Sequence, residues 1–124
     1  MSKPGSFIWY ELMTNDASAA ARFYGAVVGW KIPERPDPQA GDMDYRMIGM
    51  PDGLVGGVFT LTDAMCQQGA RPCWMMYLGV DDVDACCAAF QAAGGAVGLP
   101  AFDIPNVGRI AMVTDPQGAA LYVM

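Results

Sequence analysis

The sequence predicts an α+β protein made of two β-α-β-β-β modules in tandem. Three observations carry this. The segment NDASAAARFYGAVVGW (15–30) is matched by DDVDACCAAFQAAGGA (81–96), at an offset of 66. A strand-like apolar run precedes each copy, FIWYELMT (7–14) and CWMMYLGV (73–80). Two further strand-like runs follow each copy, joined by a turn with Pro second and Gly fourth, MPDG (50–53) and DPQG (115–118). That composition is what a type I turn prefers.

The elements follow in order. A first strand over 7–14 alternates its faces, so Glu11 shares a side with Trp9 and Met13. A helix starts at Asn15-Asp16, where an acidic side chain can cap or sit in the first turn. Ala19, Ala20, Phe23, Tyr24 and Val27 recur at helical spacing, and Gly29 supplies the stop. A short strand near 30–34, a Pro- and Asp-rich loop PERPDPQAGD (33–42), and strands 44–50 and 54–61 complete the first module, 6–61. A linker, 62–72, leads to the second module, 73–124. There the strand 73–80 precedes a helix begun by Asp82. Ala85, Cys86, Ala89, Phe90 and Ala93 mark that helix, and Gly94-Gly95 ends it. A short strand near 95–99, an irregular stretch LPAFDIPNVG (99–108), and strands 107–114 and 119–124 close the chain. Residues 1–124 are read as one domain, and the two irregular stretches as rims of a binding cleft.

Composition narrows the function. Apolar residues are 53% and charged residues 16% of the chain, enough for a real core. No apolar run approaches the ~20 residues of a membrane span. MSKPGSFIWYE does not read as a signal peptide, so a cytoplasmic protein is expected. Net charge is −6 with scattered Lys and Arg, which argues against nucleic acid as a partner. Cys66, Cys73, Cys86 and Cys87 have no zinc-ligand spacing, and their plainest reading is reduced, buried, small hydrophobes. The chain has no histidine, the commonest metal ligand and general base. Asp81, Asp82 and Asp84 are helix-start charge favoured by the dipole.

TND leading into ARFYGAVVGW, VDDVDACCAAFQAAGG, and GRIAMVTDPQGAALY together resemble the vicinal-oxygen-chelate superfamily of glyoxalase I, bleomycin-resistance proteins and extradiol dioxygenases. The resemblance covers nearly the whole chain. It is closest to a glyoxalase-like branch whose members often carry two such two-module units, of which this sequence holds one. The resemblance implies curled mixed sheets with one helix packed on the convex face of each. It also implies four metal-ligand positions on the concave face, occupied in metal-dependent members by His, Glu or Gln. Those positions here are Trp9, Gly57, Met75 and Tyr122. None of the four side chains suits a divalent ion. No metal and no other cofactor are therefore expected, and metal-dependent lactoylglutathione-lyase-like or dioxygenase chemistry is disfavoured.

The concave face is expected to carry Trp9, Glu11, Met13, Met75, Tyr77 and Tyr122, an aromatic and methionine-rich wall with one carboxylate. On strand 44–50 either Tyr45 and Met47 face in, or Arg46 and Ile48 do. Trp9, Met13, Met75, Tyr122 and Arg109 are the candidate ligand-binding residues. Arg109 is either a solvated charge or the partner of Glu11. Two function classes follow. One is a metal-independent small-molecule-binding protein of the bleomycin-resistance type, paired as a homodimer by resemblance. The other is a metal-free lyase or isomerase with Glu11 as general base and a hydroxyl donor, Tyr77 or Tyr122. Burial would raise the Glu11 pKa toward the working range. In a third reading Glu11 only satisfies backbone donors.

Overall fold

The computed structural model describes residues 3–124. The chain divides into two compact units. One is residues 10–74; the other is residues 75–124 together with the start of the chain up to Trp9. The division falls inside the first strand, β1 (Phe7–Thr14). The amide of Gly5 donates to the carbonyl of Gly79 and that of Gly79 to the carbonyl of Ser6, both at 2.8 Å. These bonds tie the start of the chain to the second unit.

In the unit of residues 10–74, β1 leads into α1 (Ala17–Val28). Asp16 caps this helix by accepting from the Ala19 amide at 2.9 Å. Gly29 ends it at φ 79°, a left-handed conformation that a Cβ would disfavour. The short strand expected near 30–34 is reduced to one bridge, Lys31 with Gly49. Pro33, Pro36 and Pro38 remove amide donors and end the pairing there. A 3-10 turn at Pro38–Ala40 follows, then β2 (Tyr45–Met50) and β3 (Gly53–Thr60). The strand order is β2-β3-β1, with β2 antiparallel and β1 parallel to β3. Leu12, Ala17, Ile48 and Val58 form the core, with Ala20 and Tyr24 of α1 packed on it. The FY…GW stretch has a packing role. Tyr24 stacks on Trp30 (5.4 Å between ring centroids), and Trp74 meets both edge-on at 5.6 and 5.7 Å. The expected linker holds a short helix, α2 (Asp63–Gln67), capped by Thr62.

The other unit contains β4 (Cys73–Leu78) from Met75 onward, α3 (Val83–Ala92), β5 (Ala96–Ile104), β6 (Gly108–Thr114) and β7 (Ala120–Val123). Asp82 caps α3 through the Ala85 amide at 3.0 Å. The strands run in the order β4-β7-β6-β5, parallel at β4-β7 and antiparallel thereafter. Val83 of α3 joins Ala111, Val113 and Val123 in a second core, with Cys86, Cys87 and Phe90 against it. The stretch 99–108, expected as an irregular rim, is strand as far as Ile104. It stays in the ladder through register shifts around Leu99, and Pro100 is tolerated because β5 lies at the edge of that order. In the DPQG turn, the Asp115 carboxylate accepts from the amides of Gln117 and Ala119, both at 2.9 Å. Among the described residues no helix is long and apolar enough to cross a membrane.

Candidate functional site

Each unit turns one sheet face to its helix and one away from it. In the unit of residues 10–74, Leu12, Ile48 and Val58 face α1. Arg46 lies opposite Val58 in the ladder, and so on the same side. Alternation then places Glu11, Met13, Tyr45, Met47, Gly57 and Phe59 on the other face. This decides the choice left open for strand 44–50: Tyr45 and Met47 face away from the helix.

The physical reason is the partner set that Arg46 finds beneath α1. Its guanidinium donates to both Asp44 oxygens (2.9 and 3.1 Å), to Ser18 Oγ (3.1 Å), and to the carbonyls of Pro33 (3.2 Å) and Glu34 (3.0 Å). Thr60 Oγ1 donates to Asp44 at 2.9 Å. Hydrogen bonding from Arg46 holds the Asp44 carboxyl below the ordinary aspartate range, helped by Thr60 and opposed by burial.

Glu11 is 4% exposed and lies in register with Gly57 on the neighbouring strand. Gly57 has no room for a side chain, because a Cβ there would run into the phenol of Tyr45. Tyr45 also faces Phe59, with ring centroids 6.5 Å apart. Among the described residues no buried side-chain nitrogen or oxygen lacks a hydrogen-bond partner. Met13 lies on the same face as Glu11, half-buried.

In the other unit, Ala111, Val113 and Val123 face α3. Met75, Tyr77, Ile110, Met112 and Tyr122 therefore share the opposite face. Tyr77 and Tyr122 are in register and stack, 4.7 Å between centroids at 17°. Met75, Tyr77, Ile110 and Tyr122 are buried, and Trp9 is half-buried.

Two expectations are corrected. Arg109, a candidate ligand-binding residue, alternates onto the α3 side with Ala111 and Val113, away from Met112 and Tyr122. Its guanidinium donates to both Asp84 oxygens (each 3.0 Å) and to Asp103 (3.2 Å). These partners form an exposed cluster within its own unit. Bonding to Arg109 keeps the Asp84 carboxyl low. Asp84 and Asp103, in that order, push the guanidinium above its usual range. The cysteines are the second correction. Cys66 and Cys73 are exposed, because α2 and the start of β4 carry few buried positions. Cys86 and Cys87 are half-buried on α3 itself, and burial pushes the Cys86 thiol up.

Residues not singled out from sequence also lie on these faces: Phe59, Ile110 and Met112, and the packing of Tyr45 over Gly57 was not foreseen. The signals were present. Asp44 and Arg46 sit two apart on one face of a strand, and a Gly-Gly pair interrupts β3, where glycine often marks a close approach. A shallow apolar groove of about 320 Å³ lies elsewhere, between α3 and the Asp115-Pro116 turn. It lacks convergent polar groups, since the Asp115 carboxylate already serves its own turn.

The repeated strand-helix plan, the DPQG turn and the two opposed faces agree with a family model. The model of the Glyoxalase/Bleomycin resistance protein/Dioxygenase superfamily matches residues 6–123. The chain belongs to that superfamily. Curated relatives are similar over nearly the whole chain. "Putative glyoxylase CFP32" of Mycobacterium bovis is 37% identical over 119 residues, 96% of this chain and 45% of the relative. "Anthracycline biosynthesis protein DnrV" of Streptomyces peucetius is 32% identical over 130 residues, 97% of this chain and 46% of the relative. The chain thus spans about half the length of the curated relatives it matches. Among solved structures, methylmalonyl-CoA epimerase from Mycobacterium tuberculosis superposes with TM-score 0.65 at 15% identity, covering 99% of this chain and 90% of that one. Hypothetical protein BH1468 from Bacillus halodurans gives 0.70 at 10% identity, covering 98% and 94%. These two likenesses are in fold.

The superfamily resemblance implies a metal, and the residues present do not fit one. The four corresponding positions hold an indole (Trp9), no side chain (Gly57), a thioether (Met75) and a phenol stacked on its neighbour (Tyr122). The space beside Gly57 is filled by Tyr45. Among the described residues no three His, Cys, Asp or Glu side chains converge to hold an ion. This donor set lacks the carboxylate, imidazole or thiolate groups that a divalent ion needs.

Proposed function

We propose that this superfamily member binds a small organic molecule without a metal ion, on sheet faces rich in aromatic rings and methionine. One observation carries the reading: the faces turned away from α1 and α3 are lined by Met13, Tyr45, Met47 and Phe59 in one unit and by Met75, Tyr77, Met112 and Tyr122 in the other. Ligand sites are mostly apolar walls with a few placed polar groups, and Glu11 is such a group here. The test is a thermal-shift screen of aromatic metabolites and natural products after dialysis against a chelator. Stabilisation that persists without metal supports the reading. Stabilisation that appears only on adding one equivalent of a divalent ion overturns it.

A second reading is favoured by the burial of Glu11 on such a face. A nearly buried carboxylate is a candidate base for a lyase or isomerase step, with a tyrosine hydroxyl near developing negative charge. Glu11→Gln separates the two. Turnover lost with ligand binding kept assigns chemistry to Glu11; an unfolded variant assigns it a structural role. We also propose that two copies of the chain pair in solution. Sedimentation equilibrium giving only monomer would remove that proposal.

A further inference from the structure

We infer that the sheet faces turned away from α1 and α3 take an uncharged flat molecule, and reject the same body carrying a carboxylate. The inference rests on the small-molecule-binding reading and gives it a chemical class. Proteins hold anions with cationic side chains or with the amides of a helix N-terminus. Both devices exist in this chain, and both are engaged on the helix sides. Lys3, Arg22, Lys31, Arg35 and Arg71 are exposed and lie outside the strands. Arg46 and Arg109 sit on β2 and β6, where alternation offers either side. Arg46 turns to the α1 side, bound to Asp44, Ser18 and the carbonyls of Pro33 and Glu34. Arg109 turns to the α3 side, bound to Asp84 and Asp103. Among the described residues, no Lys or Arg therefore stands at a strand position of either opposite face. The two long helices are closed in the same way. Asp16 accepts from the Ala19 amide and Asp82 from the Ala85 amide, so a carboxylate of the chain already sits where a ligand anion would.

What the faces present instead suits a ring. Met47 and Phe59 line one of them, and Met112 lines the other. Leu99 and Phe102 lie opposite Met112 and Ile110 in the ladder and are 38% and 40% exposed, so that apolar face continues out to solvent. Thioethers and aromatic rings pack well against a flat body. They do not replace the water around an anion. A carboxylate brought onto such a surface loses hydration with no cation to compensate, whereas a neutral amide of the same shape loses far less. The net charge of −6 adds a long-range repulsion that salt screens.

The test uses two probes with one body: 2-naphthamide, which is neutral, and 2-naphthoate, which is an anion at neutral pH. Equilibrium dialysis against the full chain in about 0.15 M salt limits the long-range repulsion. The amide should bind at least about tenfold tighter than the naphthoate. Met47→Lys and Met112→Lys each place an ammonium on one face, and at least one of them should narrow that ratio by tightening naphthoate. Gln117→Lys adds the same charge at the exposed DPQG turn and should leave the ratio unchanged. Where a lysine variant fails to fold, the wild-type ratio still decides. Equal or tighter binding of naphthoate by the wild type overturns the inference alone. So does a ratio that both folded face variants leave unchanged, or that Gln117→Lys narrows as far as they do. Failure of both probes to bind overturns the inference and the small-molecule reading of these faces together.

Discussion

Replacing Arg46 by methionine tests whether the buried guanidinium holds this unit together. Arg46, on β2, is 5% exposed and reaches Asp44 just before that strand, Ser18 of α1, and the 33–34 loop at the carbonyls of Pro33 and Glu34. Methionine fills similar volume but leaves Asp44 and two carbonyls without this donor. Removing one partner of a buried pair costs about 3–5 kcal/mol. The Asp44 side chain is 28% exposed, so water takes up part of the loss and the expected value is about 3 kcal/mol. Arg46→Lys keeps the charge but loses the planar fork, and about 1–2 kcal/mol is expected. The assay is urea denaturation followed by far-UV circular dichroism. The pH dependence supplies a second readout. Asp44 has a lowered pKa in the folded state, so its contribution is present above the unfolded aspartate value of 3.8 and is lost as pH falls through the lower folded value. In the methionine variant that acid-side loss of stability should shrink. A methionine variant within about 0.5 kcal/mol of wild type would refute the reasoning, because surface substitutions fall in that range.

Two other predictions concern single positions. Asp16→Ala removes the cap at the Ala19 amide and should lower stability by about 1 kcal/mol in the same urea assay. Native-state labelling with Ellman's reagent at pH 8 should modify Cys66 and Cys73 first, with Cys86 slow because it is half-buried and its thiol is pushed up; equal rates for all four would contradict that order.

Much of the fold was legible because its signals are local. Asp16 and Asp82 cap helices through amides three residues ahead, Gly29 takes the left-handed stop, and the DPQG carboxylate closes its own turn. The misread stretches depend on partners far along the chain. Residues 99–104 look like a loop because Pro100 and Asp103 are poor strand formers, yet pairing with β6 keeps them extended. Arg109 looked available because its two aspartates come from α3 and β5.

The sequence by itself determined the duplicated plan, the caps and turns, and the absence of metal-ligand side chains at Trp9, Gly57, Met75 and Tyr122. Periodicity, capping chemistry and ligand chemistry are properties of residue types at fixed spacing. Only the tertiary structure decided which side of β2 faces α1, that Arg109 belongs to the aspartates beside it, and that Tyr45 occupies the space left by Gly57. Strand alternation allows two answers at every position. The choice between them was made by where a buried guanidinium finds its hydrogen bonds and by a glycine at position 57 that leaves room for the Tyr45 ring.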